Sequence, residues 1–220
     1  MNRKLIAIAA LGLFMVVFSS CFEREGTSKF LISNEFKAYT AFLPGSYWVY
    51  KHLETNRLDT VYLIDSDTAT WFQFAYGSTS QGYFYDVLQF YYAPNALGMD
   101  SSVVYAAGVR KTNYDMVDVW RVYYGQRYNI IFDPKPETNA EQDFGNTLGF
   151  YTLLVRNEPL VFQELSYGSV WQTRVRDYFN PANIIYLEYS IARNFGIVRF
   201  RRTTNDEIHT WELVDSELFQ

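Results

Sequence analysis

From residue 47 to the end of the chain, short runs rich in Val, Ile, Thr, Tyr, Phe and Trp follow one another, each closed by Gly, Asn, Asp, Ser or Pro. They fall at 47–53, 59–64, 70–76, 83–92, 103–107, 117–124, 127–132, 150–155, 161–165, 170–179, 184–191, 197–203 and 208–214. β-Branched and aromatic side chains suit a pleated, half-buried backbone, and the punctuating residues suit turns. Strands joined by short connections pair as hairpins, so the pattern predicts an antiparallel sheet. No Gly-rich phosphate loop and no regular β–α alternation interrupts it. The expected fold is mainly β: a single antiparallel, strongly curved sheet or partly open barrel. Minor helix is expected over 28–42 and around 137–144.

The composition agrees. Nineteen Tyr, 18 Phe and 5 Trp make 19% of 220 residues aromatic, and 49% hydrophobic with 20% charged is a globular mixture. That length supports one sizeable domain, placed here at 41–220. Gly45 and Gly196 are expected where the sheet turns or bends. A formal charge of −5 removes the electrostatic case for nucleic-acid binding.

Period-2 alternation assigns faces. Trp171, Thr173 and Val175 alternate with Gln172, Arg174 and Arg176; Val198 and Phe200 alternate with Arg199 and Arg201; Trp211 and Leu213 alternate with Thr210 and Glu212. These strands have one dry and one wet face. In 83–92 aromatic residues fall on both faces, with Phe84, Leu88 and Phe90 on one and Tyr83, Tyr85 and Tyr91 on the other. An internal echo is also present. Gly45-Ser46-Tyr47-Trp48 and Gly168-Ser169-Val170-Trp171 share G-S-x-W, and each is followed by a hydrophobic-Tyr-Leu triplet, Val61-Tyr62-Leu63 and Ile185-Tyr186-Leu187. Two similar halves is one reading, and chance likeness between aromatic strands is the other.

The N-terminus carries an address. Arg3 and Lys4 precede an apolar run from Leu5 to Phe18, and Ser19-Ser20 stand before Cys21, the only cysteine. A basic start, a short apolar core and small residues at a cut describe a secretory signal, too short for a membrane-spanning helix. Phe18-Ser19-Ser20-Cys21 resembles a bacterial lipobox, with Phe18 in place of the usual Leu. The resemblance implies cleavage of 1–20 and acylation of Cys21, taking the charge from −5 to −7 and leaving Cys21 neither nucleophile nor metal ligand. Residues 21–40 then read as a polar tether. Glu23 and Glu25 loosely resemble acidic surface-export signals of Bacteroidota lipoproteins; acidic residues of a tether are the plainer reading.

Candidate chemistry is sparse. His52 and His209 lie 157 residues apart on separate expected strands, with no third histidine to complete a zinc set. Each shares the face of tryptophans, as a hydrogen-bonded sheet residue does. No G-x-S-x-G appears. The acids Asp65/Asp67, Asp115/Asp118 and Asp206/Glu207 sit where turns and strand edges are expected, and Asp133, Glu137, Glu141 and Asp143 lack the order of an EF-hand. No cofactor and no metal site follow. Two candidate binding surfaces remain: Tyr83, Tyr85 and Tyr91 as an aromatic platform for a glycan or peptide, and Arg174, Arg176, Arg199 and Arg201 as a face for an anionic partner. Core filling and a charge-mixed face with Glu188, Glu207 and Glu212 are the respective alternatives.

Leu43-Pro44-Gly45-Ser46-Tyr47-Trp48-Val49-Tyr50-Lys51, placed after a lipobox and tether, looks like the opening of many small Bacteroidota lipoproteins. Phe195-Gly196-Ile197-Val198 and Thr210-Trp211-Glu212-Leu213 resemble their late strands. The resemblance implies a lipid-anchored outer-membrane protein, facing the periplasm or the cell surface, and transfers no functional residue except Cys21. The functional expectation is a non-catalytic envelope role, binding a glycan, peptide or protein. The alternatives are a lipocalin-like carrier of an apolar ligand in a sheet cavity and, third, a carboxylate-based glycosidase.

Overall fold

The computed structural model describes residues 29–73, 82–107, 117–124, 127–132, 137–143, 150–176, 184–204 and 207–220. Its elements are β1 (Lys29–Phe30), α1 (Asn34–Thr40), β2 (Tyr47–His52), β3 (Leu58–Gln73), β4 (Tyr83–Tyr92), β5 (Met99–Ala107) and β6 (Val117–Tyr124). They continue with β7 (Arg127–Phe132), β8 (Glu141–Asp143), β9 (Phe150–Phe162), β10 (Leu165–Arg176), β11 (Ile184–Ala192), β12 (Gly196–Thr204) and β13 (Ile208–Glu217). Two compact units form: Met1–Lys29 with Phe72–Phe84, and Phe30–Trp71 with Tyr85–Gln220. In the smaller, the rings of Phe72 and Phe84 pack at 4.8 Å. The larger carries the core.

The chain forms one open antiparallel sheet in the order β7-β6-β5-β4-β3-β2-β13-β12-β11-β10-β9-β8. The first long strand therefore lies in the middle, paired with the last. Successive hairpins lead outward from β2 to β7, and the second half returns from β8 to β13 beside it. Hairpins do not need long crossovers, which is why so many short runs build one sheet. Two pairs of expected runs merge, 59–64 with 70–76 into β3 and 150–155 with 161–165 into β9. Asp65 and Asp67 therefore stand within β3, not in a turn, their Oδ1 atoms accepting from the N–H groups of Ser66 and Thr68. The helix expected at 137–144 is instead a turn followed by β8, because Glu141–Asp143 find a ladder on Phe150–Thr152.

The sheet of the larger unit curves enough that β7 and β10 meet across its inner face, Phe132 packing on Trp171 at 4.2 Å between ring centroids. Helix α1 lies over this junction. Its N-cap Ser33 accepts the Phe36 N–H at 3.1 Å, leaving fewer unsatisfied donors at the helix start. Ser33 in turn donates its own N–H and hydroxyl to the carboxylate of Asp118 on β6. Phe36 packs tilted against Phe132 at 4.8 Å, and Phe42 meets Trp48 edge-on at 5.1 Å. Tyr39 and Thr40, three and four residues after Phe36, are buried with it, the spacing of one helix face, and Ile32, just before the N-cap, is buried beside them. The packed unit thus begins near residue 30, with Ile32, Phe36, Tyr39 and Thr40 buried in a stretch that the sequence reads as tether.

Polar anchors fix the curvature. Trp48 donates its indole N–H to the carbonyl of Phe195 at 2.7 Å, and Tyr50 its hydroxyl to that of Ile197 at 2.7 Å. Both carbonyls flank Gly196, whose φ is +78°; Gly45, before β2, has φ +99°. Both glycines stand at turns leading into strands. A Cβ on Gly196 would lie 3.1 Å from Phe42 and would occupy a backbone region that side chains resist. Gly196→Ala is therefore expected to cost about 1–3 kcal/mol, read as a lowered urea midpoint with unchanged slope.

The two G-S-x-W segments occupy different settings. Trp48 stands near the start of β2 opposite Val61, whereas Trp171 lies mid-strand in β10 opposite Ile191, four residues beyond the Ile185-Tyr186-Leu187 triplet. Equivalent hairpins would share a register, and these do not.

Candidate binding cavity

Alternation and register together place two rows of side chains on the inner face, beyond the reach of α1. One row runs Thr173, Tyr189, Phe200, Trp211 and His52 across β10, β11, β12, β13 and β2. The next runs Val175, Leu187, Arg202 and His209 across β10 to β13. Directly opposite residues in neighbouring strands point to one side, so these rows form a floor. Phe200 and Trp211 stack at 4.5 Å and 9°, Tyr189 follows at 6.4 Å from Phe200, and His52 meets Trp211 edge-on at 4.6 Å.

A cavity of about 430 Å³ opens over this floor, a size typical of small-molecule sites. Its rim comes from the β2–β3 turn, with Thr55 and Arg57, and from Ala96 and Leu97 between β4 and β5. Asp59 holds that second wall: its Oδ2 accepts the Leu97 N–H at 2.6 Å and its Oδ1 the N–H groups of Ala96 at 3.2 Å and Thr60 at 3.0 Å. The one carboxylate in the lining is thus committed to backbone donors.

The two histidines, far apart in sequence, are in direct contact. His52 Nε2 lies 3.1 Å from His209 Nδ1, and His209 Nε2 lies 2.8 Å from Glu207 Oε2. The Thr55 N–H, an obligate donor, points at His52 Nδ1 at 3.2 Å. His52 therefore carries its proton on Nε2 and donates to His209, which donates from Nε2 to Glu207. Burial holds the His52 imidazole below its ordinary value of 6.5; Glu54 opposes this, and His209, Arg202 and Arg57 reinforce it. Glu54 sits below the ordinary carboxylate value: burial pushes it up, but hydrogen bonds, among them the Thr210 N–H at 2.9 Å, outweigh that.

A histidine with a lowered folded-state pKa binds its proton more readily when unfolded, so stability rises with pH in that window. The fold is expected to lose stability as pH falls through 6.5 towards the lower folded value of His52. Urea midpoints at about pH 7.5 and 5.5 check this: the drop should be smaller in His52→Gln, which has no proton to gain.

On the opposite face, each arginine singled out by alternation meets a glutamate. Glu188 bridges Arg174 at 2.6 Å and Arg201 at 3.3 Å, Glu212 lies 3.2 Å from Arg199, and Glu141 lies 3.2 Å from Arg176. Arg174 and Arg201 stand directly across Glu188 in the register, and Arg199 directly across Glu212. Tyr85 packs edge-on to Trp71 at 6.2 Å and tilted to Tyr105 at 6.2 Å, while Tyr91 is 40% exposed. Tyr83 belongs to the smaller unit. Cys21 and the 1–20 leader lie outside the described residues.

Arg202 and the histidine pair were not singled out together by the sequence, yet one signal was there. Val198, Phe200 and Arg202 share parity on β12, so Arg202 is the charge on the apolar face. That His52 and His209 touch follows only from the pairing of β2 with β13.

No family model and no curated protein matches this chain. Among solved structures, it is similar to a crystal structure of a "putative lipoprotein" from Parabacteroides distasonis, at 10% identity and a TM-score of 0.33, over 80% of this chain and 98% of that one. A superposition of that score establishes neither shared fold nor shared function. Among the described residues, no helix is long and apolar enough to cross a membrane, and no group of three or more His, Cys, Asp and Glu is placed to hold a metal ion.

Proposed function

We propose that this protein is an outer-membrane lipoprotein, anchored through Cys21, whose folded unit binds a small ligand without chemical turnover. The observation that carries the binding role is the cavity itself: a floor of Tyr189, Phe200, Trp211 and His52 spread over four strands, open to solvent, with polar and charged side chains at one end. An apolar surface with a few convergent polar groups is what a small-molecule site requires. The inner-face cavity favours ligand capture within the curve of the sheet over a platform on β4, where Tyr85 is already packed between Trp71 and Tyr105. The anchor rests on residues 1–21, where a basic start, an apolar run and Ser19-Ser20-Cys21 stand in order.

Native mass spectrometry of the full chain, extracted from its producing cells in mild detergent, tests the binding role. The expected result is a small-molecule adduct that dissociates on denaturation. It should be lost in Ala96→Trp, which fills the cavity from an exposed rim position. An adduct retained in that variant, or none in the parent, argues against the cavity as the site.

A further inference from the structure

The ligand's charge can be read from one residue. Of the arginines on β10 and β12, Arg174, Arg176, Arg199 and Arg201 each face a carboxylate. Arg202 has no carboxylate partner among the described residues. Its Nε is buried without a hydrogen bond, and its guanidinium lies over the Trp211 ring at 5.8 Å. A buried guanidinium N–H without an acceptor is costly, and this half-buried guanidinium lines the cavity. The other charged groups there do not offset it. Asp59 is spent on three backbone N–H groups, Arg57 adds a second cation, and Glu207, outside the lining, is engaged by His209.

We propose that the cavity takes a ring-bearing organic oxyanion, a carboxylate or a phosphate ester, with its charge on Arg202 and its flat body over the Phe200–Trp211 floor. This rests on the reading of the cavity as a binding site. The planar guanidinium fork matches both oxyanions, and stacked aromatic side chains match a flat apolar body. His52 and His209 contribute no free donor while both are neutral, since each ring proton is already given within the pair. Arg202 therefore supplies the recognition of charge.

The test compares 2-naphthoate, 2-naphthyl phosphate and the uncharged 2-naphthamide on the full chain in detergent, followed by the Trp211 indole N–H resonance and by calorimetry. At least one oxyanion is expected to bind roughly tenfold or more tightly than the amide, the discrimination that one charge-assisted contact typically provides, and the tighter of the two separates a carboxylate ligand from a phosphate. Arg202→Gln should erase that preference while leaving amide binding in place, and Arg202→Lys, which keeps the charge and loses the fork, should retain part of it. Should Arg202→Gln fail to fold, the comparison in the parent chain and in Arg202→Lys still decides. Equal binding of the three probes, each shifting Trp211, overturns the oxyanion assignment and leaves the cavity as a site. No shift of Trp211 by any probe removes both.

Discussion

Phe36→Ala is expected to destabilise the protein by about 3–5 kcal/mol, the range for truncating a buried aromatic side chain. Phe36 is fully buried on α1, packed on Phe132 of β7, which in turn packs on Trp171 of β10 across the inner face of the sheet. Removing the ring leaves a void where three elements meet, and the surrounding strands, tied by their ladders, collapse into it only in part. Glu35→Ala, one residue away but exposed, serves as the control and should stay within about 0.5 kcal/mol. Urea titration of both variants gives the comparison. Equal midpoints would mean that residues 30–40 are a tether after all.

Cys21→Ser is expected to abolish acylation completely. Each buried methylene of an acyl chain contributes about 0.8 kcal/mol to membrane attachment, so two or more chains hold a protein stably and none leaves only its surface chemistry. With a net charge of −7 once residues 1–20 are removed, that surface has no general attraction for anionic headgroups. Metabolic labelling with an alkyne fatty acid, read on the purified chain, is the direct measurement. Label should appear in the parent and vanish in the serine variant, and the mass of the parent should show loss of residues 1–20. Label that persists in Cys21→Ser, or a parent that carries none, would remove the lipid anchor from the reading.

The strand pattern was legible because the sheet is built from local hairpins. Runs expected at 83–92, 117–124 and 127–132 coincide with β4, β6 and β7, each bounded by its own turn residues. The merged strands β3 and β9 were not legible for the converse reason. Their middles hold Asp65, Asp67, Arg156 and Asn157, polar residues that read as turns until a neighbouring strand supplies the ladder. Asn157 keeps a turn's signature even so, with φ +52° beside a register shift between β9 and β10. Period-2 alternation also sorted Arg174, Arg199 and Arg201 onto one face. It could not say that Glu188 stands between two of them, since that needs the registers of β10, β11 and β12 at once.

The sequence by itself determined the class of fold, the two faces of the late strands and the acylation address proposed at Cys21, because each depends on neighbours a few residues away. Only the tertiary structure decided that the first long strand closes against the last, bringing His52 to within 3.1 Å of His209 across 157 residues. It also decided that Ile32, Phe36 and Tyr39 are core, because a short amphipathic helix is stabilised by the surface it covers more than by its own propensity. Arg202 shows the division most clearly. Its parity on an apolar face was written in the chain, but its place over Trp211, with no carboxylate partner among the described residues, exists only where β11, β12, β13 and β2 curve around a common space.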